Sequence, residues 1–134
     1  MTEFDKNKLI GIPFKLNRKD FDGCDCRGIV CLYYKYVKNI ELPFTDGKRI
    51  FFRNRKHDVA RIIAVISKIM NPVSFSELNE GDLVILKNIC DKGNGGLGVC
   101  INKHQVLHMD QVVGSCLTKL EYIKPVFLFG FRLI

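Results

Sequence analysis

One cysteine of this chain stands where a protein can make a nucleophile. Cys26 directly follows Asp25, and the apolar residues after it recur at the three- and four-residue steps of a helix. This pattern predicts a helix over 24–38, with Asp25 accepting hydrogen bonds from its first free amides. Those amides and the positive end of the helix dipole favour a thiolate. Cys26 is therefore a candidate nucleophile, although a small buried cysteine without chemistry would produce the same pattern.

A cysteine nucleophile needs a base, and the chain offers three histidines. His57 falls at the start of a second predicted helix and His104 at the tip of a hairpin, so both are expected to be exposed. His108 lies in the middle of a predicted strand, within Val106–Met109. Strand alternation turns its side chain to the face opposite its two neighbours. His108 is therefore the candidate partner of Cys26.

The elements that must position these residues are helices first and strands afterwards. A second amphipathic helix is predicted over 55–70, ended by Asn71-Pro72. The strand period follows, and it predicts five strands, over 83–87, 97–102, 105–109, 115–120 and 126–134. Helices followed by an antiparallel meander indicate a single α+β domain over residues 1–134.

Composition and charge argue against a membrane-spanning protein and against a nucleic-acid-binding protein. The chain has 134 residues, a net charge of +7 and 47% hydrophobic residues, without an apolar run as long as a membrane span. The polar N-terminus does not resemble a signal peptide, so synthesis in a cytosol is expected. The basic segment Lys48–Lys56 comes with no nucleic-acid-binding motif. We expect this segment to face solvent or an acidic neighbouring subunit, and we expect no nucleic-acid partner.

The six cysteines pose a second question of chemistry. They are Cys24, Cys26, Cys31, Cys90, Cys100 and Cys116. A cytosolic origin predicts that all six are free thiols. The first three could share a metal or an iron–sulfur cluster with a remote fourth cysteine, although residues 26 and 31 would point about 140° apart on a helix. No cofactor is predicted, and a cysteine-ligated metal site stays open as an alternative.

Five short motifs follow one another in a recognisable order. They are Gly11-Ile12-Pro13-Phe14, Gly23-Cys24-Asp25-Cys26-Arg27-Gly28-Ile29-Val30, Gly81-Asp82-Leu83-Val84, Gly98-Val99-Cys100-Ile101 and Val106-Leu107-His108. In order and spacing they resemble the NlpC/P60 cell-wall cysteine peptidases over roughly residues 9–134, and in particular the short form encoded in tailed-phage tail modules. The resemblance implies a papain-like α+β fold, with helices packed on an antiparallel sheet of about five strands.

The resemblance also implies roles for individual residues. The cysteine at the position of Cys26 attacks a peptide bond of peptidoglycan, and His108 matches the residue that orients the catalytic base. The base itself is expected twelve residues before His108, where this chain has Gly96. Phe14 stands where the family has a tyrosine. Loss of the base predicts a loss of catalysis on the order of 10³-fold or more.

Three functions follow as hypotheses. The first is a structural or interaction protein of a phage tail tip, made in the host cytoplasm, located in the virion and bound to other tail-tip or baseplate proteins. The second is an active peptidoglycan endopeptidase that uses Cys26 and His108. The third is a cysteine-ligated metal or iron–sulfur protein on the same scaffold. The missing base and hydroxyl favour the first, whereas the retained Cys26 and His108 support the second.

Overall fold

The helix that carries the candidate nucleophile begins at Cys26. The computed structural model describes residues 4–15, 18–43, 62–87 and 95–134. Helix α1 spans Cys26–Val37, within the predicted range. The carboxylate of Asp25 accepts a hydrogen bond from the Gly28 amide at 2.8 Å. The predicted N-cap is therefore present, and it places Cys26 in the first turn of the helix.

The strands build one large antiparallel sheet and one small ribbon. Their bounds are β1 Lys19–Asp20, β2 Gly23–Cys24, β3 Met70–Val73, β4 Leu83–Lys87, β5 Gly95–Cys100, β6 Gln105–Asp110, β7 Gly114–Lys119 and β8 Phe127–Leu133. The large sheet has the order β3-β8-β4-β5-β6-β7, and β1 pairs with β2. A one-turn helix spans Leu120–Ile123. The α+β class is confirmed, with one more strand in the main sheet than the sequence predicted.

Two apolar clusters cover the two faces of the large sheet. The larger cluster joins α1 to one face, with Ile29, Val30 and Tyr33 from the helix and Leu83, Ile85, Val99, Leu107 and Met109 from the sheet. The smaller cluster lies on the other face, where Val84, Leu86, Cys100 and Val106 meet Ile123. Strand alternation sorts the residues between the two clusters. Odd-numbered and even-numbered positions of β5 and β6 consequently face different surroundings.

The prediction of a helix up to residue 70 was wrong at its C-terminal end. Among the described residues the helix covers 62–66, and the chain then turns into β3, Met70–Val73, which pairs with β8. Asn71 and Pro72 lie inside this strand instead of ending a helix. β3 is an edge strand, where a residue without a backbone N–H is tolerated. Met70, 1% exposed, anchors the strand in the core.

Some predictions fall on residues that the structure does not describe. The basic segment Lys48–Lys56, His57, Cys90 and the beginning of the second predicted helix lie outside the described residues. The predictions made for them stay predictions. Within the described parts of the chain, no helix is both long enough and apolar enough to cross a membrane.

Two tyrosines fix the C-terminal half of α1 against the sheet. The hydroxyl of Tyr34 donates to the Gly81 carbonyl at 2.5 Å, and the hydroxyl of Tyr33 donates to the Glu80 carboxylate. The Gly81 amide in turn donates to the Cys100 carbonyl at 2.7 Å. This half of α1 therefore lies over the end of β5 at Cys100.

Ser115 fixes the N-terminal segment against the opposite end of the sheet. Its hydroxyl donates to the Leu9 carbonyl at 2.6 Å and accepts from the Ile12 amide at 2.9 Å. Its carbonyl accepts from the Gly11 amide at 2.8 Å. Gly114 has a φ of +89°, and a Cβ there would lie 2.5 Å from the Ile12 carbonyl oxygen. Only glycine permits this close approach of the segment to the β6–β7 hairpin.

Replacement of Ser115 by alanine is expected to lower the free energy of unfolding by about 1–3 kcal/mol. The variant leaves the buried Ile12 amide and Leu9 carbonyl without their side-chain partner. Urea denaturation followed by circular dichroism measures the change. Ser76→Ala, which removes an exposed hydroxyl, serves as the control and should lie within about 0.5 kcal/mol of the natural chain. Equal losses in the two variants would contradict this assignment.

Candidate active site

The fold brings Cys26 level with the start of β5. Helix α1 packs across β5 and β6, and Tyr34 lies at the end of β5 marked by Cys100. Cys26 is eight residues before Tyr34, a distance of about 12 Å along the helix axis. Gly96 is four residues before Cys100, about 13 Å along the strand. The helix start and the strand start consequently lie at one end of the sheet, which we call the nucleophile end.

The N-terminal segment gives the same placement independently. The Cys24 amide donates to the Pro13 carbonyl at 3.0 Å, which ties the residues before α1 to this segment. Ile12, one residue earlier, bonds to Ser115, and Ser115 pairs with Met109 in β6. Because β6 runs antiparallel to β5, the end of β6 lies beside the start of β5. The nucleophile end therefore gathers the start of α1, the start of β5 and the end of β6.

Gly28 explains why the turn before α1 is so tight. A Cβ at this position would overlap the Arg18 carbonyl oxygen and lie 2.7 Å from the Cys24 Cβ. The same Arg18 carbonyl accepts a hydrogen bond from the Asp25 amide at 3.1 Å. The glycine two residues after Cys26 thus allows the preceding loop to cross the first turn of the helix. Cys26 itself is half-buried and packs against the larger cluster.

Phe14 lies beside the same turn. It forms an isolated parallel bridge with Cys24, and the Lys15 amide donates to the Cys24 carbonyl at 3.0 Å. Phe14 and Cys26 both pack against the larger cluster. The ring has no hydroxyl with which to donate or accept a hydrogen bond.

His108 lies on the sheet face opposite α1. Its neighbours in β6, Leu107 and Met109, belong to the cluster that α1 covers. The imidazole is 5% exposed, and its Nε2 lies 2.6 Å from Thr118 Oγ1 and 3.7 Å from Cys116 Sγ. Burial lowers the pKa of His108, and the Met109 backbone and the Asp110 carboxylate oppose the shift only in part. The ring is therefore neutral near pH 7.

Gly96 leaves open space at the position where the resemblance implies a base. It pairs with Leu86 in β4, two residues along β5 from Gly98, which pairs with His108. Gly96 and His108 thus share a sheet face. No atom of the described residues lies within 4 Å of a Cβ built on Gly96, and its φ is not positive. The backbone would accept a side chain here without strain.

The remaining described cysteines are buried or half-buried. Burial raises the pKa of Cys24 and Cys100 to about 12 and that of Cys31 to about 11, and it also raises the pKa of Cys116. Without a metal ion beside them, these thiols are therefore protonated at neutral pH. The five described cysteines are free thiols. Among the described residues, no three His, Cys, Asp or Glu side chains lie close enough together to hold a metal ion.

Cys116 and Thr118 are the site neighbours that the sequence analysis missed. Both lie in β7, where Cys116 is directly opposite His108 and Thr118 opposite Val106. A hairpin turn placed at residues 111–113 would have predicted this register, because antiparallel partners then sum to a constant residue number. The motif order alone says nothing about which residue of β7 faces His108.

The family assignment rests on a match that covers most of the chain. The family model of the NlpC/P60 family matches residues 11–128. The chain belongs to the NlpC/P60 family. No curated protein sequence matches it at a significant level.

Solved structures confirm the fold of this NlpC/P60 chain. The NlpC/p60 domain of the peptidoglycan hydrolase SagA is similar, with a TM-score of 0.65 and 18% identity over 96% of this chain and 92% of that one. A lipoprotein-like NLP/P60 family protein from Staphylococcus aureus subsp. aureus Mu50 gives a TM-score of 0.60 and 18% identity, over 99% of this chain and 43% of that longer one. The papain-like NlpC/P60 fold expected from the motifs is therefore confirmed.

Proposed function

We propose that this NlpC/P60 domain has lost most of its hydrolase chemistry and serves as a structural component of a phage tail tip. The observation that carries the loss of chemistry is Gly96. It occupies the β5 position where the resemblance implies the base, on the same sheet face as His108 and with open space beside it. Without a base, the thiol of Cys26 has no group at that position to accept its proton.

Two further observations support a reduced active site. Phe14 lies beside Cys24 and offers no hydroxyl to the reacting groups. The Nε2 atom of His108 is already engaged by Thr118 and approached by Cys116. An imidazole held in this way is an orienting group without a base to orient.

The proposed place of action comes from the Gly23–Cys26 motif and its likeness to the short tail-module form. On this proposal the chain is made in the host cytoplasm, assembles into the virion and contacts other tail-tip or baseplate proteins. Because of the family relationship, we expect the domain to bind peptidoglycan as well. A domain that keeps the fold but lacks the base can still bind neighbouring proteins through its surface, although it no longer hydrolyses peptide bonds.

The proposal predicts that purified protein releases little or no product from muropeptides. Chromatography of the digestion products compares the natural chain with Cys26→Ala, and the two should differ by less than the detection limit. The folded state of Cys26→Ala is checked by its far-ultraviolet circular dichroism. Robust cleavage that disappears in Cys26→Ala would show that another residue supplies the base, and the structural role would be wrong.

That outcome would establish the second candidate, an active peptidoglycan endopeptidase. The observation in its favour is the intact start of α1, where Asp25 caps the helix and Cys26 stands in the first turn. On this alternative Cys26 is the nucleophile and His108 is the base, and the two must meet around the end of β6, because His108 lies on the sheet face opposite α1. The two candidates therefore differ in whether His108 takes a proton from Cys26.

A further inference from the structure

A second cysteine, Cys116, lies beside the imidazole of His108. Cys116 is directly opposite His108 in the β6–β7 pair, and its Sγ lies 3.7 Å from His108 Nε2. β7 is the edge strand of the large sheet, and Cys116 is half-buried on it. The side chain of Cys116 is therefore partly accessible to solvent.

We propose that Cys116 and His108 form a thiol–imidazole pair in which Cys116 is the nucleophile toward low-molecular-weight disulfides. This inference does not rest on the proposed function, because it needs neither peptidoglycan nor a base at Gly96. In this pair, His108 accepts a proton from a thiol that lies on its own face of the sheet. The pair would make Cys116 a site of reversible S-thiolation.

The surroundings of the ring show where the proton moves. Two groups that can donate lie beside Nε2, the hydroxyl of Thr118 and the thiol of Cys116. The proposed transfer uses the tautomer with its proton on Nδ1, a buried nitrogen that has no hydrogen-bond partner among the described residues. Nε2 then carries the lone pair and accepts the Cys116 proton as sulfur attacks.

The reaction balances with the disulfide as the only co-reactant. Cys116 Sγ bonds to one sulfur of the disulfide, and the original sulfur–sulfur bond breaks. The departing thiolate takes the proton that His108 Nε2 accepted from Cys116. One disulfide and one thiol enter, and one mixed disulfide and one thiol leave, without net oxidation.

Thr118 competes with Cys116 for the same lone pair. Its Oγ1 lies 2.6 Å from Nε2, the shorter of the two contacts. When the Thr118 hydroxyl donates to Nε2, the lone pair of Nε2 is occupied and cannot accept the thiol proton of Cys116. Removal of this hydroxyl should therefore speed the reaction of Cys116, whereas removal of the imidazole should slow it.

The test measures mixed-disulfide formation on the full chain with oxidised glutathione, mapped to each cysteine by mass spectrometry. Cys31 is the internal control, because it is also half-buried, burial raises its pKa to about 11, and it contacts no imidazole among the described residues. Cys116 should react at least about 10-fold faster than Cys31. His108→Gln should bring Cys116 close to the rate of Cys31, and Thr118→Val should raise the rate of Cys116 several-fold.

Equal rates at Cys116 and Cys31 in the natural chain would overturn the proposal, as would an unchanged Cys116 rate in His108→Gln. If His108→Gln proves unfolded by circular dichroism, Thr118→Val decides, since an unchanged or lower Cys116 rate there also overturns it. Muropeptide cleavage is not measured in this experiment. A negative result for Cys116 therefore does not affect the proposed structural role. Likewise, a failure of the proposed structural role does not affect the proposal for Cys116.

Discussion

Replacement of Gly96 by histidine is expected to raise the rate of muropeptide cleavage at least about 10²-fold above that of the natural chain. The variant places an imidazole at the start of β5, at the end of the sheet where α1 presents Cys26. Gly96 faces away from the cluster that α1 covers, so the imidazole must reach Cys26 around the end of β5. From there it would act as a general base that takes the thiol proton during attack and returns it to the leaving amine. This is the largest change in activity that the structure predicts for a single substitution.

The local geometry favours this gain without a cost in folding. No atom of the described residues lies within 4 Å of a Cβ at Gly96, and the backbone there has no positive φ. The new side chain would be a diagonal neighbour of His108 across β5 and β6, at about 7–8 Å between backbones. His108 could then hold the new imidazole in place, the role that the resemblance implies for it.

Two variants control this experiment. Gly96→Gln adds a polar side chain of similar reach without a titratable base, and it should give no gain. Gly96→His combined with Cys26→Ala should return to the background rate, because the nucleophile is gone. A folded Gly96→His protein with no gain in cleavage would show that the missing base is not the reason for the low hydrolase activity.

Replacement of Arg132 by alanine is expected to lower the free energy of unfolding by about 1–3 kcal/mol, because the buried Asp82 carboxylate loses its counter-charge but keeps the hydrogen bond from the Asn79 amide. Its guanidinium donates to both carboxylate oxygens of Asp82, at 2.9 and 2.8 Å, and also to the Glu77 carbonyl at 2.7 Å. The side chain of Asp82 is 2% exposed, so the variant leaves a buried carboxylate without its counter-charge. The pair also joins the start of β4 to β8, next to the Gly81 carbonyl that receives Tyr34.

An exposed pair of the same length is the matched control. Arg18 and Asp20 also approach to 2.8 Å, but their side chains are 45% and 50% exposed. Water screens such a pair, so Arg18→Ala should cost no more than about 1 kcal/mol. Urea denaturation of both variants measures the difference, and losses of equal size would show that burial of Asp82 is not what makes its pair important.

Local signals determined the parts of the site that are close in sequence. The capping aspartate and the apolar spacing after Cys26 predicted α1, and the helix begins as those residues require. Short runs of apolar residues predicted β4 and β6 to within about a residue of their observed ends. Counting back from His108 predicted the importance of Gly96, which the structure places on the same sheet face.

Only the tertiary structure decided which side chains meet across strands. Residues 70–73 became an edge strand because β8 offers a partner there, although local spacing favoured a helix. The contacts of His108 with Cys116 and Thr118 follow from the β6–β7 register, which the turn at residues 111–113 sets and the strand periodicity alone does not specify. Periodicity indicates that a segment is a strand, whereas the pairing decides which residue lies opposite which. For this reason the sequence alone could propose Cys26 as the nucleophile and Gly96 as the position of an expected base, but it could not predict the partners of His108.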